Sequence, residues 1–206
     1  MNQDLFNAIS KGNRKVVTEI IQSAISKNED VIALLTDTMI PAMREIGNRF
    51  SRNEIFVPEM LIAARAMQAG LVLVEPLLVK SGHKAIAKVA IGTVKGDLHD
   101  IGKNLVAMML KGAGFEVMDL GVDCDKLKFE RAVNDGAQAI CLSALLTTTM
   151  PYMKEIVDHF KGSQVKVLIG GAPVTQVYAD EIGAHGYSSS AGEAVETMMK
   201  CLQLSA

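Results

Sequence analysis

The spacing of apolar residues changes once along this chain, and this change constrains the fold more than any other feature. Up to about residue 80, apolar residues recur at intervals of three and four, the period of an amphipathic helix. Beyond about residue 88, short apolar runs of strand length alternate with helical stretches. The 206 residues are therefore expected to form two domains, residues 1–84 and 88–206.

The first half predicts a helical bundle. Two short helices are expected at about residues 3–11 and 13–27, followed by two longer ones. Pro58 lies near the first turn of the last helix, where a missing N–H costs little. Each long helix carries one apolar stripe, formed by Ile32, Leu35, Met39, Met43, Ile46 and Phe50 in one and by Met60, Ala63, Ala64, Met67, Leu71 and Val74 in the other. We therefore expect four helices packed as a bundle.

The second half predicts an α/β domain. The runs KVAIGTV, FEVMDLG, AQAICLS and VKVLIGG, and a last one near GYSSS, alternate with helical stretches. This order is typical of a doubly wound, Rossmann- or flavodoxin-like sheet of five parallel strands. In such sheets, ligands bind at the carboxyl ends of the strands.

Charge, termini and cysteines exclude several classes of protein. The net charge is −2 and no block of Lys or Arg is present, which argues against nucleic acid as a partner. The N-terminus does not have the pattern of a signal peptide, and no window of eighteen residues is apolar and uncharged. We therefore expect a cytoplasmic protein that does not associate with membranes. Cys124, Cys141 and Cys201 are widely spaced, as expected of reduced thiols rather than of a disulfide framework or a CxxC metal site.

The stretch GDLHDIG, residues 96–102, carries a histidine between two carboxylates at the end of the first predicted strand. In an extended segment Asp97 and His99 point the same way, so the carboxylate can accept the Nδ1–H of the imidazole and leave Nε2 for a metal. A single histidine holds a metal only when the metal arrives in a macrocycle, such as a haem or a corrin. The alternative is that Asp100 caps the next helix and His99 is an ordinary polar residue. The glycines match neither GxGxxG nor GxxxxGK[ST], which disfavours a nucleotide-phosphate site.

Small and hydroxyl residues follow the later strands. Ser143 and the run Thr147–Thr149 come after the third strand, and helix capping accounts for only about one of these hydroxyls. Gly170 and Gly171 end the fourth strand and leave room for a ligand close to the backbone. Together with small residues near the fifth strand, they are expected to line a slot for a long cofactor tail.

These motifs resemble those of a known family. DLHDIG (97–102), SALLTTT (143–149) and GG (170–171) are similar to the DxHxxG, SxL and GG motifs of cobalamin-binding domains of the methionine synthase type. The helical half resembles the cap bundle that accompanies them. Length and order resemble the stand-alone corrinoid proteins of methylamine, methanol and betaine methyltransferase systems. The resemblance covers nearly the whole chain.

The resemblance implies a set of site residues. His99 would be the lower axial ligand of cobalt, Asp97 its hydrogen-bonded partner, and Thr149 a replacement for the serine that extends this relay in methionine synthase. Further cofactor contacts would come from Gly96, Leu98, Asp100, Gly102, Ser143, Leu145, Thr147, Gly170, Gly171 and Ala191. In the cap, Phe50 and Val57 would lie over the corrin, with Met39 and Met43 as further candidates unless they belong to the bundle core. Thr36 stands where methionine synthase has a glutamate, so no corrin contact is carried over to it.

The resemblance also implies a function. The cofactor would be cobalamin, cycling between cob(I)alamin and methylcob(III)alamin. A substrate:corrinoid methyltransferase would deliver a methyl group, with a methylamine or betaine as the expected donor. A second methyltransferase would pass it to tetrahydrofolate or a thiol, and a reductive activator would restore the cofactor. The two domains would separate about residues 81–88.

Two alternatives remain open. One is a cobalamin-dependent sensor or regulatory binding module, although no DNA-binding module is left after cap and cofactor domain are assigned. The other is a flavodoxin-like or nucleotide-binding domain with a helical appendage.

Overall fold

The structure is a computed structural model that describes residues 1–80 and 85–204. Contacts divide the chain into two units, Met1–Ala85 with Gly112–Gly114, and Ile86–Lys111 with Phe115–Ala206. The expected domain boundary at residue 84, and half of the expected hinge at residues 81–88, lie outside the described residues.

The first unit is helical, as predicted. Its elements are α1 (Gln3–Ser10), α2 (Arg14–Ser26), α3 (Val31–Leu34), a π-helical turn (Leu35–Met39), α4 (Ile40–Ser51) and α5 (Val57–Lys80). Since α3, the π-helical turn and α4 follow one another without a break, they form one long segment. The four predicted helical segments are therefore confirmed. Side chains of Asn2, Asn13 and Asp30 accept backbone N–H groups at the starts of α1, α2 and α3 and so fix where these helices begin.

The bundle core explains the apolar stripes. Helices α2 and α5 pack closely, and a Cβ at Gly70 of α5 would lie 2.7 Å from both Ile21 and Met39. Met39 and Met43 are 0% and 1% exposed. These two methionines are therefore residues of the bundle core, which was the alternative to a contact with the corrin.

Helix α5 contains an apolar stretch, Val57–Leu78, that is long enough to cross a bilayer by length and composition alone. The stretch includes Glu59, Arg65 and Glu75. Helix α5 also packs against α1, α2 and α4. A place in the bundle therefore accounts for its hydrophobicity.

The second unit is the predicted parallel sheet. Its strands are β1 (Lys88–Thr93), β2 (Glu116–Asp119), β3 (Ala139–Ser143), β4 (Lys166–Gly170) and β5 (Gly186–Ser188), paired in parallel in the order β2-β1-β3-β4-β5. The helices are α6 (Ile101–Gly112), α7 (Lys126–Asn134), α8 (Met150–His159), α9 (Gln176–Ile182) and α10 (Ala191–Cys201). The chain leaves β1 towards β2 and then crosses back to β3, so the topological switch lies at the carboxyl ends of β1 and β3.

One apolar cluster packs the helices onto the sheet. It joins inward residues of the strands, such as Ile140 and Val167, to Phe129 of α7, Met153 of α8 and Ile182 of α9. This cluster supports β1 and β3 from one side and so provides a rigid base for the loops at their carboxyl ends.

Candidate functional site

The site begins with a tight turn directly after β1. The N–H of Asp97 donates to the carbonyl oxygen of Val94 at 3.1 Å, and Gly96, third in this turn, has a φ of +81°. A positive φ at this position is what a type II turn requires, and glycine adopts it without strain. The positive φ of the turn therefore explains why position 96 is a glycine. The turn directs the Asp97 side chain into the protein, where it is fully buried.

Asp97 holds His99 through two contacts to one oxygen. Oδ1 of Asp97 lies 2.7 Å from Nδ1 of the imidazole and also accepts the backbone N–H of His99 at 3.1 Å. The predicted contact is present, but its expected basis was wrong. The segment is not extended, because the bond from the His99 N–H closes an Asx turn that curls the chain around the carboxylate. The carbonyl oxygen of His99 in turn accepts the hydroxyl of buried Thr93 at 2.8 Å.

The second oxygen of Asp97 is held by the loop after β3. Oδ2 accepts the backbone N–H groups of Leu145 and Leu146 at 2.7 and 3.2 Å. The Thr149 hydroxyl lies 3.0 Å from the same oxygen and 2.8 Å from the Leu146 carbonyl oxygen. Thr149 precedes α8 but makes no side-chain cap bond. Its hydroxyl therefore lies between these two acceptors and does not cap the helix.

These donors set the ionisation of Asp97. Burial alone would raise the pKa of its carboxyl group, but the hydrogen bonds from Leu145, His99 and Leu146 outweigh burial and hold the pKa far below its usual range. Asp97 is therefore an anion at neutral pH. An anion beside Nδ1 keeps a proton on that nitrogen, which leaves Nε2 as the nitrogen available to a metal.

The donor set suits a metal that brings its own equatorial ligands. The His99 side chain is 51% exposed, so its outer nitrogen is accessible from the edge of the sheet. Within residues 1–80 and 85–204, no group of three or more His, Cys, Asp or Glu side chains is placed to hold a metal ion. A lone imidazole with a carboxylate behind it fits the axial position of a cobalt corrinoid and does not fit a free ion.

A row of small residues crosses the sheet beside this loop. Thr93, Ser143, Gly170 and Ser188 are neighbours in register on β1, β3, β4 and β5. Paired residues on parallel strands face the same side, so their side chains form one row at the carboxyl edge. The sequence pattern named Ser143 and Gly170 and included Ser188 within the small-residue stretch near the fifth strand, but it missed Thr93, which the strand register reveals.

The predicted glycines differ in what surrounds them. A Cβ at Gly171, whose φ is +134°, would lie 1.9 Å from the Ala144 carbonyl oxygen. A Cβ at Gly170 would lie 3.2 Å from the Ser188 carbonyl oxygen. At Gly102, in the first turn of α6, an added Cβ would have no atom of the described residues within 4 Å apart from its chain neighbours and the nearby backbone of its own helix. Gly171 is thus required by the packing of the protein itself, whereas Gly102 faces open space.

The remaining residues predicted on the second unit lie around the same edge. Leu98 and Leu145 are 72% and 43% exposed, an unusual exposure for leucines beside a buried carboxylate. Asp100 directly precedes α6, and its side chain accepts a hydrogen bond from Asn104. Thr147 is exposed on the loop after β3, and Ala191 is the buried first residue of α10.

The two predicted cap residues belong to the first unit. Phe50 lies at the end of α4 and Val57 begins α5, and both are partly exposed. Thr36 is exposed in the π-helical turn and donates to the Ile32 carbonyl oxygen. The structure thus places these residues on the bundle, whereas the histidine loop belongs to the second unit.

Sequence reasoning missed two further features of the site. Asp123, after β2, accepts the Gly96 N–H at 2.8 Å through its side chain. Lys103 of α6 is buried and forms an ion pair with Asp119 at the end of β2 at 2.5 Å. The only signal for either was their position in the stretches DIGK and DLGVD, next to a strand end.

The cysteines behave as the sequence predicted. They are free, and burial raises the pKa of Cys124 and Cys201 and, aided by nearby Cys201, that of Cys141 to about 12. Thiols that stay protonated are poor metal ligands and poor nucleophiles.

Comparisons with known proteins agree with this geometry. A family model described as a B12 binding domain matches residues 87–197, and a second with the same description matches residues 1–75. A corrinoid protein of Desulfitobacterium hafniense is 38% identical over 207 residues, covering 97% of this chain and 96% of the relative. The trimethylamine corrinoid protein of Methanosarcina barkeri is 39% identical over 204 residues, covering 96% and 94%. The crystal structure of the methanol:cobalamin methyltransferase complex MtaBC from Methanosarcina barkeri matches with a TM-score of 0.85 and 29% identity, over 98% of this chain and 80% of that one. The chain therefore belongs to the cobalamin-binding corrinoid proteins of methyltransferase systems.

Proposed function

We propose that His99 is the single protein ligand of cobalt and that Asp97 fixes both its orientation and its proton. The observation that carries this proposal is the 2.7 Å contact between a fully buried carboxylate and a half-exposed imidazole. Cobalamin supplies the cobalt atom that takes up and gives up a methyl group. The protein's part is to hold an axial nitrogen at a fixed place and to adjust how strongly that nitrogen donates.

The relay through Asp97 tunes this donation. The Nδ1 proton of His99 lies in a hydrogen bond to an anion, which makes Nε2 a stronger electron donor to a metal. The Leu145 and Leu146 N–H groups and the Thr149 hydroxyl spread the negative charge of Asp97 and so weaken its pull on that proton. A histidine that donates more or less strongly to a bound cobalt would adjust how readily the cofactor gives up a methyl group. The relay is thereby a control on methyl transfer.

The edge of the sheet would hold the rest of the cofactor. We assign Gly96, Leu98, Asp100, Gly102 and Leu145 to contacts around the histidine loop. The cofactor tail is assigned to the row of small residues, with Ser143, Thr147, Gly170, Gly171 and Ala191 as contacts. The open space at Gly102 supports a close approach by the cofactor. From the resemblance, Phe50 and Val57 are proposed to contact the upper face of the corrin, and residues 1–84 and 88–206 to act as cap and cofactor domains.

The methyl group is proposed to come from a methylamine. A relative named as a trimethylamine corrinoid protein is 39% identical over nearly its whole length, whereas the matching chain of the methanol complex is 29% identical. A substrate:corrinoid methyltransferase would load the cofactor, a second methyltransferase would transfer the methyl group to tetrahydrofolate or a thiol, and a reductive activator would restore oxidised cofactor. A betaine donor is the second candidate.

Reconstitution with cobalamin tests the ligand. The absorption spectrum of the bound cofactor is compared between wild type, His99→Ala and His159→Ala, a histidine at the end of α8. We expect His99→Ala alone to show the spectrum of cobalamin without an axial imidazole. Identical spectra for wild type and His99→Ala would show that His99 is not the ligand.

A donor panel tests the substrate. The loaded, reduced protein is mixed with candidate methyltransferases and with trimethylamine, dimethylamine, glycine betaine or methanol, and methylation is followed spectroscopically. Methylation with an amine and its partner enzyme, but not with methanol, supports the proposed donor. Methylation with methanol alone would contradict it.

A further inference from the structure

We propose that Asp123, on the loop between β2 and α7, is a positioning residue that holds the His99 loop in the geometry needed for axial coordination. The proposal rests on the proposed function, because it concerns how His99 is presented to cobalt. Asp123 itself is not expected to touch the cofactor.

Asp123 binds the histidine loop from both its side chain and its backbone. Its Oδ1 accepts the Gly96 N–H at 2.8 Å, and its own N–H donates to the Asp97 carbonyl oxygen at 3.1 Å. One residue of a neighbouring loop thus holds two consecutive residues of the turn that carries the site. The other supports of this turn come from β1, through Thr93, and from the loop after β3, through Leu145, Leu146 and Thr149.

The backbone around Asp123 is itself well fixed. Asp123 has a φ of +50°, a left-handed conformation that aspartate and asparagine tolerate better than most residues. The next residue, Cys124, is buried and its N–H donates to the Thr93 carbonyl oxygen at 2.9 Å. Lys128 of α7 donates to the Asp123 carbonyl oxygen at 3.3 Å. The carboxylate is therefore presented from a fixed support rather than from a free loop.

The bond to Gly96 acts on the middle of the type II turn. When it is lost, the peptide between Lys95 and Gly96 has one constraint fewer, and the Asp97–His99 pair can tilt as a unit. The contact between Asp97 and His99 survives such a tilt, whereas an axial bond to cobalt depends on the direction of the imidazole. Because Asp123 is exposed, its hydrogen bond is worth only a modest amount, and we expect a change of about two- to tenfold in the coordination equilibrium.

Two variants separate the effect of the Asp123 carboxylate from the effect of the left-handed backbone at this position. Asp123→Gly keeps the left-handed conformation without strain and removes the acceptor. Asp123→Asn tolerates the same conformation and keeps an oxygen acceptor. Asp125→Ala is the matched control, since this carboxylate lies two residues away and caps α7 through the Lys128 N–H without touching the histidine turn.

The test has one readout without cofactor and one with it. In the apoprotein, amide hydrogen exchange is measured at Gly96. In the cobalamin-loaded protein reduced to Co(II), the fraction with an axial nitrogen is measured from the nitrogen splitting of the electron paramagnetic resonance spectrum. We expect Asp123→Gly to speed Gly96 exchange and to shift the ratio of nitrogen-bound to nitrogen-free cobalt by about two- to tenfold towards the free form. Asp123→Asn and Asp125→Ala should stay close to wild type in both measurements.

The outcomes distinguish this proposal from the one it rests on. A wild-type protein that shows no axial-nitrogen splitting would overturn the proposed function. A wild type with normal splitting and an Asp123→Gly variant identical to it would overturn the role of Asp123 alone. An equal loss of coordination in Asp125→Ala would also overturn it, because the effect would then belong to the loop in general.

Discussion

Oδ1 of Asp97 and Nδ1 of His99 lie 2.7 Å apart, although the first side chain is fully buried and half of the second is exposed. The contact joins the interior of the sheet domain to the surface at which a cofactor can arrive. Its strength depends on the donors around the carboxylate as much as on the histidine.

Replacing Asp97 by asparagine should therefore affect both stability and coordination. Both oxygens of Asp97 accept hydrogen bonds, from His99 and from the loop after β3. In asparagine an NH₂ group, which only donates, replaces one of these oxygens, so at least one buried N–H loses its acceptor. We expect the free energy of unfolding of the apoprotein to fall by about 2–4 kcal/mol, measured by urea denaturation. The bound cofactor should also show weaker axial coordination in its absorption spectrum. A variant with unchanged stability would contradict the described hydrogen bonds.

Acid should destabilise the wild type in a way that depends on Asp97. Its pKa is lowered in the folded protein, so the unfolded chain binds this proton more readily in acid. The stability from Asp97 is fully present above the unfolded pKa of about 3.9 and is lost progressively as the pH falls below it. Urea denaturation between pH 6 and pH 3 should show a shallower acid decline in Asp97→Asn than in wild type. Parallel curves would contradict this assignment.

Thr149 should be more sensitive to loss of its hydroxyl than to loss of its methyl group. Thr149→Val keeps the shape but removes the donor to Asp97, whereas Thr149→Ser keeps the donor. We expect Thr149→Val to cost about 1 kcal/mol of unfolding free energy and to alter the spectrum of bound cobalamin. Thr149→Ser should keep the wild-type spectrum. If both variants share one spectrum, the hydroxyl takes no part in the relay.

Two glycine-to-alanine changes should differ in their effect on the stability of the apoprotein. Gly171→Ala places a Cβ against the Ala144 carbonyl oxygen at a φ of +134°, so the loops after β3 and β4 must separate and the thermal midpoint should fall strongly. Gly102→Ala meets open space within a helix and should leave stability unchanged or raise it by up to about 1 kcal/mol. Calorimetry of the apoproteins measures both. Gly102→Ala should nevertheless bind cobalamin less tightly, and unimpaired binding would show that the cofactor does not lie against this turn.

The two partners of the ion pair between Lys103 and Asp119 differ in burial. The Lys103 side chain is 2% exposed and that of Asp119 is 39% exposed. Removal of Asp119 leaves a buried ammonium group without its partner, whereas removal of Lys103 leaves a carboxylate that water can reach. Asp119→Ala should therefore cost about 3–5 kcal/mol and Lys103→Met clearly less, as measured by urea denaturation. Equal losses would contradict this account.

The local patterns of the sequence determined the architecture. A period of three to four gave the bundle helices, and short β-rich runs alternating with helices gave the parallel sheet, because each element must bury its apolar side. Asp97 and His99 were also evident from sequence, since a carboxylate and an imidazole two residues apart follow a strand directly and can together form a metal ligand with its hydrogen-bonded partner. Motif spacing then pointed to Ser143, Thr149 and the two glycines.

Only the tertiary structure decided how these residues act. The contact of the Thr149 hydroxyl with Asp97 and the support from Asp123 depend on contacts between segments that are far apart in the chain, whereas the Asx turn at Asp97 and the bond from Thr93 are local contacts set by the conformation of the loop. The burial of Met39 and Met43 likewise depends on which helices pack together. Sequence periodicity reports which face of an element is apolar, whereas strand register and loop approach set which polar atoms meet. Those contacts determine the site.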